Sequence, residues 1–118
     1  MANQVGWFEI AGKDHKGLQE FYAKLFDWNV DANNPMEYGM VEANDVGLGG
    51  GIGGTPPDAP SGHVTIYVVV DDLQAALDKA ESLGGKIATP PMDVPDGPSI
   101  AHFTDPSGNF VGLMKPPG

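Results

Sequence analysis

Residues 63–85 read HVTIYVVVDDLQAALDKAESLGG, and the order of residue types in this stretch decides the fold. The first eight residues are mainly β-branched or aromatic, which is typical of a strand. Apolar residues then recur at helical spacing behind Asp71 and Asp72, which predicts an amphipathic helix with an acidic N-cap. The pair Gly84-Gly85 is a stop signal for that helix. A strand therefore leads directly into a helix.

The N-terminal half repeats this order of elements. Residues 5–10 predict a strand, and Asp14 precedes a second helical pattern formed by Leu18, Phe21, Tyr22, Leu25 and Phe26. Three shorter strands are predicted after each helix, at residues 28–31, 36–43 and 46–52 and at residues 86–89, 99–104 and 109–114. We therefore expect an α+β fold built from two β-α-β-β-β modules, at about residues 4–54 and 62–116 of a single domain, 1–118.

Sequence matches between the halves support this repeat. Asp14 and Val30 correspond to Asp71 and Ile87, and Val46-Gly47-Leu48 returns as Val111-Gly112-Leu113. The second copy is longer, and the extra length is expected in a proline-rich loop at residues 90–98. Residues 53–62 form a Gly/Pro linker that is too short to separate independent domains.

Composition excludes several classes of function. The sequence has no cysteine, so it can form neither a disulfide nor a thiolate site. Its formal net charge of -10 opposes binding to nucleic acid and to anionic membranes, and is compatible with a neutral or cationic small molecule. No apolar run approaches the length of a membrane helix and no signal pattern opens the chain, so we expect a cytoplasmic protein.

The alternation of strand side chains divides the predicted sheet into two faces. The face under the helices takes Phe8, Ile10, Val64, Ile66, Val68, Val70, Ala101, Phe103, Val111 and Leu113. The opposite face takes Trp7, Glu9, His63, Thr65, Tyr67, Val69, Ile100, His102, Phe110, Gly112 and Met114, together with glycines 47, 49, 51 and 53. With both helices on one face, we expect a curled, cup-shaped mixed sheet whose concave face is polar and, over the glycines, unfilled.

A set of short motifs along the chain resembles the vicinal oxygen chelate superfamily of glyoxalases, bleomycin resistance proteins and extradiol dioxygenases. The motifs are Trp7-Phe8-Glu9-Ile10, Phe21-Tyr22, Phe26-Asp27-Trp28, Val70-Asp71-Asp72-Leu73, Gly84-Gly85-Lys86 and Asp105-Pro106-Ser107-Gly108-Asn109. The resemblance covers nearly the whole chain. It implies paired β-α-β-β-β modules, a cup-shaped sheet and a homodimer.

The resemblance also implies where a metal would be bound in the metalloenzymes of this family. Its three ligand positions fall on Trp7, Thr65 and Gly112 in this sequence. An indole N–H and a glycine offer no lone pair, and a lone threonine hydroxyl is a weak ligand. We therefore expect no metal cofactor here. The alternative is a displaced site for Zn, Ni, Mn or Fe formed by Glu9, His63 and His102, since two histidines and a carboxylate are a recognised ligand set.

Three hypotheses about function remain open. The favoured one is a metal-independent protein that holds a planar or cationic small molecule, with the ligand-binding residues Trp7, Glu9, Thr65, Tyr67, His102, Phe110 and Met114. The second is an enzyme of the same family, either a cofactor-free lyase or isomerase in which Glu9 and His102 are the catalytic acid and base, or a metal-dependent lyase or dioxygenase at the displaced site. The third is an interaction protein whose Trp7 and Tyr67 bury against a partner chain. Tyr22 and Trp28 are expected in the core, and His15 in solvent.

Overall fold

A computed structural model describes residues 2–55, 62–95 and 97–116, and in them the chain divides into two compact units. The first unit is Trp7–Val64, and the second unit is Met1–Gly6 together with Thr65–Gly118. Most of the predicted Gly/Pro linker, residues 56–61, lies outside the described residues. No described helix is both long and apolar enough to cross a membrane.

The order of elements confirms the predicted α+β class and its two β-α-β-β-β modules. The first module contains β1 (Val5–Gly12), α1 (His15–Phe26), β2 (Val30–Asp31), β3 (Gly39–Val41), a short helix α2 (Ala43–Val46) and β4 (Gly50–Gly53). The second contains β5 (Gly62–Val69), α3 (Leu73–Ser82), β6 (Lys86–Asp93), β7 (Ser99–Thr104) and β8 (Phe110–Lys115).

Both units use the same mixed strand pairing. In the first, β1 pairs in parallel with β4, and β4-β3 and β3-β2 are antiparallel. In the second, β5 pairs in parallel with β8, and β8-β7 and β7-β6 are antiparallel. The first and last strands of each module are thus neighbours.

Each unit has its own hydrophobic core on the predicted helix side of its strands. The first core contains Ile10, Val41 and Ile52, packed with Phe8, Leu18, Tyr22, Trp28 and Val30. The second contains Leu73, Leu77, Ala101 and Leu113, packed with Val68, Val70, Ala76 and Phe103. This confirms the core positions of Tyr22 and Trp28. Val64 and Ile66, which were also assigned to the helix side, are instead exposed.

The helices begin as the sequence predicts. Asp14 accepts a hydrogen bond from the backbone N–H of Gly17 at 3.1 Å, and Asp72 accepts one from that of Ala75 at 3.0 Å. These N-cap bonds satisfy donors that a helix leaves unpaired at its first turn. The helix α3 ends before Gly84, whose φ of 102° is costly for residues with a Cβ.

The predicted strand at residues 46–52 is wrong in its first half. Val46 ends the helix α2, Gly47 follows with a φ of 92°, and the strand begins only at Gly50. A left-handed residue ends the helix and redirects the chain into the strand. The match of Val46-Gly47-Leu48 to the last strand is therefore not a structural equivalence.

The strand β6 runs four residues further than predicted, through Pro90 and Pro91 to Asp93, and takes part of the expected loop. Its register against β7 shifts between Ile87 and Thr89 and again between Thr89 and Met92. Within the second unit β6 has β7 as its only strand neighbour among the described residues. Prolines are tolerated on such an edge strand because the backbone N–H groups on its unpaired side make no hydrogen bonds to a neighbouring strand.

Candidate functional site

In the first unit, two hydrogen bonds and one longer contact link four polar side chains in a row. The indole Nε1–H of Trp7 donates to the hydroxyl of Tyr38 at 3.1 Å, and that hydroxyl donates to Glu9 Oε2 at 3.0 Å. The other oxygen of Glu9 lies 3.6 Å from His63 Nε2. The side chains of Glu9 and His63 are only 14% and 7% exposed. We call Trp7, Glu9, Tyr38 and His63 the first cluster.

Strand register explains why Tyr38 reaches Glu9. Gly51 of β4 is the direct partner of Glu9 on β1. A Cβ at Gly51 or at Gly53 would collide with the Tyr38 ring, so the ring lies against both glycines. A Cβ at Gly49 would come within 3.3 Å of the Trp7 ring. The expectation that nothing fills the glycine side of this strand is therefore wrong, because aromatic rings of the protein itself lie there.

The second unit has a related arrangement around Gly112, which pairs with Tyr67 on one side and with His102 on the other. A Cβ at Gly112 would collide with the Tyr67 ring, and the missing side chain lets that ring cross β8. The Tyr67 hydroxyl lies 2.7 Å from His102 Nε2. The His102 ring stacks on Phe110 with centroids 4.7 Å apart. We call Tyr67, His102 and Phe110 the second cluster.

Several predicted site residues are more deeply buried than a polar, open face would allow. His102 is 1% exposed, and Thr65 and Tyr67 are each 4% exposed. Thr65 donates its hydroxyl hydrogen to the backbone oxygen of Phe110 at 2.5 Å. Met114 is half-buried, and its sulfur lies 3.2 Å from the position of a Cβ on Gly6. These side chains therefore have packing and hydrogen-bonding roles within the second unit.

Residues 4–113 match the profile of the glyoxalase/bleomycin resistance protein/dioxygenase superfamily. The chain belongs to this superfamily. It is 34% identical over 117 residues to the Mycobacterium tuberculosis protein named "Putative glyoxylase CFP32", covering 92% of this chain and 44% of that protein. The chain thus spans less than half the length of this curated relative.

Solved structures with the same fold include enzymes of different chemistry. Methylmalonyl-CoA epimerase from Mycobacterium tuberculosis superposes with a TM-score of 0.66 at 13% identity, covering 97% of this chain and 88% of the epimerase. The 2,2',3-trihydroxybiphenyl 1,2-dioxygenase from Sphingomonas wittichii gives a TM-score of 0.63 at 14% identity, covering 100% of this chain and 42% of the dioxygenase. At these identities the similarity shows the fold and leaves the reaction open.

The superfamily motif around Asp105 has a structural role in this chain. The Asp105 carboxylate accepts hydrogen bonds from the backbone N–H groups of Ser107 and Asn109 and from the Asn109 side chain, each at 2.9 Å. The hydrogen bond from the Asn109 side chain makes the largest contribution to holding the pKa of Asp105 below its usual value. Gly108 completes the turn with a φ of 90°. The motif therefore fixes the turn before β8.

The residues at the three metal positions that the resemblance implies do not fit a metal ion. The Trp7 indole nitrogen carries a hydrogen that it donates to Tyr38, and the Thr65 hydroxyl is directed to a backbone oxygen. Gly112 has no side chain, and the Tyr67 ring occupies the space that one would need. Trp7 and Gly112 thus offer no lone pair, and the lone hydroxyl oxygen of Thr65 is a weak ligand for a divalent cation.

The three residues of the alternative metal site differ in their surroundings. Glu9 and His63 are adjacent in the first unit, whereas His102 belongs to the second unit and bonds to Tyr67. In residues 2–55, 62–95 and 97–116, no group of three His, Cys, Asp or Glu side chains could hold a metal ion. Metal independence stays a prediction, and so does acid–base catalysis by Glu9 with His102.

Tyr38 is the functional candidate that the sequence interpretation missed. It precedes β3, and its backbone N–H and C=O both bond to the Asn34 side chain, at 2.9 and 2.7 Å. The alternating glycines of β4 were the available signal, because glycine in a strand marks the close approach of another group. The approaching group is 13 residues away in sequence, so local pattern could not identify it.

Two surface cavities, of about 490 and 350 Å³, lie in the second unit. The larger is lined by Asp72, Met92, Asp93 and Lys115 among others, and the smaller by Val68, Ala76, Leu83 and Phe103 among others. None of the predicted ligand-binding residues lines either cavity.

Proposed function

We propose that this superfamily member is a small-molecule binding protein that takes a planar or cationic ligand without a metal ion. The observation that carries the proposal is the chemistry at the three metal positions. At the positions that the resemblance implies for the metal ligands, this chain has an indole N–H donor, a threonine hydroxyl bonded to the backbone and a glycine. Aromatic rings and a carboxylate remain as the groups that a ligand would contact.

The first cluster supports this class of ligand. The Glu9 carboxylate is largely buried and accepts a hydrogen bond from the Tyr38 hydroxyl, which itself accepts one from the Trp7 indole. A carboxylate and aromatic side chains in one cluster favour a cation or a polarised planar ring, because both kinds of group stabilise positive charge. The net charge of -10 adds a long-range preference for cations over anions. Of the predicted ligand-binding residues, Trp7 and Glu9 thus have the most direct roles.

Metal independence is tested by elemental analysis of protein purified without a His tag, followed by thermal unfolding with added Zn²⁺, Ni²⁺, Mn²⁺ or Fe²⁺. We expect less than one tenth of an equivalent of metal and no increase in Tm, since a ligand that binds the folded state must raise Tm. Near-stoichiometric metal, or a Tm increase that Glu9→Ala abolishes, would refute metal independence.

Ligand class is tested by calorimetric titration with matched cationic, neutral and anionic aromatic compounds. We expect the cationic and neutral compounds to bind at least about tenfold more tightly than the anionic ones. Glu9→Gln should weaken cation binding by about tenfold, the loss of a charge-assisted contact. Glu20→Gln is the matched control, since Glu20 is exposed on α1. Equal affinity for cations and anions, unchanged by Glu9→Gln, would contradict the proposal.

A second candidate function is acid–base catalysis, favoured by the contact between Glu9 and His63. The two groups lie 3.6 Å apart, slightly beyond hydrogen-bond distance, and Tyr38 donates to the other carboxylate oxygen. Proton transfer between Glu9 and His63 therefore requires the two side chains to move closer by about half an ångström. Assays of glyoxalase-type lyase and epimerase substrates test this function, with Glu9→Gln and His63→Gln as variants. Turnover lost in both variants would favour an enzyme over a binding protein.

We further propose that the protein is a homodimer in the cytoplasm, as the resemblance and the sequence imply. Sedimentation equilibrium at micromolar concentration tests the first point. A mass of one chain, about 12.4 kDa, at all concentrations would exclude the dimer.

A further inference from the structure

The Tyr38 side chain occupies a slot whose floor is made of glycine. We infer that Tyr38 is an internal stand-in for the ligand, and that the ligand is a neutral hydroxyaryl compound whose ring takes the place of the Tyr38 ring. This inference rests on the proposed binding function and narrows its ligand class. It also assigns Tyr38 as the residue that determines specificity.

The polar end of the slot specifies a hydroxyl group. At the position of the Tyr38 oxygen, one group must accept a hydrogen bond from Trp7 Nε1 and donate one to Glu9 Oε2. A hydroxyl does both. An ammonium group cannot accept from the indole, and a carboxylate would be repelled by Glu9. Among simple substituents on a ring, a neutral hydroxyl therefore matches both contacts.

The glycine floor of the slot specifies an aromatic ring. Gly51 and Gly53 are alternate residues of β4 and present bare backbone on the same face. A Cβ at either position would collide with the Tyr38 ring, so both glycines are needed for a ring to lie this close. A planar ring is the shape that makes full contact with such a surface.

The exchange of Tyr38 for a ligand needs only a side-chain rotation. Asn34 holds both the backbone N–H and the C=O of Tyr38, and Gln19 Nε2 donates to the backbone oxygen of Glu37 at 2.9 Å. The backbone at Tyr38 is thus fixed from two directions. The side chain is half-buried, so its ring can turn towards solvent while the backbone remains in place.

Only molecules whose slot is open can bind the ligand, so competition with Tyr38 lowers the apparent affinity of the wild-type protein in proportion to the open fraction. With the ring held by two hydrogen bonds, we expect this fraction to be about one tenth or less. Removing the hydroxyl in Tyr38→Phe weakens the competitor, and removing the ring in Tyr38→Ala abolishes it. The affinity for a hydroxyaryl probe should therefore rise in the order wild type, Tyr38→Phe, Tyr38→Ala.

The test uses 4-methylphenol, which reproduces the tyrosine side chain, and toluene, which has the same ring and methyl group without the hydroxyl. Dissociation constants are measured by calorimetry, and the two indole N–H signals are followed by NMR, since the chain has two tryptophans. We expect 4-methylphenol to bind Tyr38→Ala about tenfold or more tightly than wild type, and more tightly than toluene. Adding Glu9→Gln to Tyr38→Ala should reduce the preference for 4-methylphenol over toluene by about fivefold.

Tyr38→Phe keeps the ring packed on the glycines, so it tests the inference even if Tyr38→Ala fails to fold. The same affinity for 4-methylphenol in wild type and Tyr38→Phe, or equal binding of toluene and 4-methylphenol, would overturn the inference. Cation binding that depends on Glu9, with no effect of Tyr38 on 4-methylphenol, would overturn the inference and leave the proposed function standing. Absence of binding by every compound, in wild type and variants alike, would overturn both.

Discussion

Gly112→Ala gives a quantitative test of the second cluster. The Gly112 backbone is not in the left-handed region, because positive φ among the described glycines is confined to Gly47, Gly84 and Gly108. Alanine is therefore compatible with the backbone conformation. Its methyl group would collide with the Tyr67 ring and push the Tyr67 hydroxyl away from His102.

Two costs combine to give the expected destabilisation. Inserting a methyl group into a packed site costs about 1–3 kcal/mol. Losing the buried hydrogen bond between Tyr67 and His102 costs about 1–3 kcal/mol. Because one movement of the ring causes both, we expect a combined loss of about 2–4 kcal/mol in the free energy of unfolding. At about 4 °C per kcal/mol for a domain of this size, Tm should fall by roughly 8–16 °C.

Urea unfolding followed by circular dichroism measures this change, with Gly54→Ala as the matched control. Among the described residues, a Cβ at Gly54 would meet only His15 Nδ1, at 3.9 Å, so this substitution should change stability by less than about 0.5 kcal/mol. In a Tyr67→Leu background, which lacks the ring, Gly112→Ala should cost about 1 kcal/mol or less. A loss below 0.5 kcal/mol in the wild-type background, or the same loss in both backgrounds, would refute the reasoning.

Three further predictions concern the turn, the cap and the buried amide. The pKa of Asp105 is depressed in the folded protein, so the stability that this carboxylate contributes is present above the unfolded pKa of about 3.9 and is lost as pH falls through the lower folded value. The urea midpoint of Asp105→Asn, measured from pH 2 to 7, should therefore fall less steeply with acid than that of the wild type. The same pH dependence of the midpoint in both proteins would contradict this. Asp72→Ala removes the N-cap of α3 and should cost about 1 kcal/mol by thermal unfolding, whereas the neighbouring Asp71→Ala should have little effect. Gln19 is buried and donates to the backbone oxygens of Ile52 and Glu37, so Gln19→Met should cost about 2 kcal/mol, and an unchanged urea midpoint would show that these bonds are dispensable.

The helices and the core were predictable because their signals are local. Helical spacing and the N-caps Asp14 and Asp72 placed α1 and α3, and strand parity assigned Phe8 and Ile10 to the first core. Parity was less informative at the start of β5, where Val64 and Ile66 are exposed although Val68 and Val70 are packed. Strand geometry fixes the alternation of side chains between the two faces, but it does not fix how much of the strand the core covers.

The candidate site was predictable only as a set of positions. Parity placed Trp7, Glu9 and His63 on one face, and the contact between Glu9 and His63 agrees with that assignment. It did not predict Tyr38, which joins Trp7 to Glu9 across 31 and 29 residues of sequence. Nor did it predict that Thr65, Tyr67 and His102 are nearly fully buried.

The sequence by itself determined the α+β class, the two modules and the superfamily, because each depends on local spacing and on short motifs. Only the tertiary structure decided that the Tyr38 ring lies over Gly51 and that the Tyr67 ring crosses Gly112. The physical reason is strand register. A glycine leaves space above its own strand, and the register of the neighbouring strands determines which side chain lies in it.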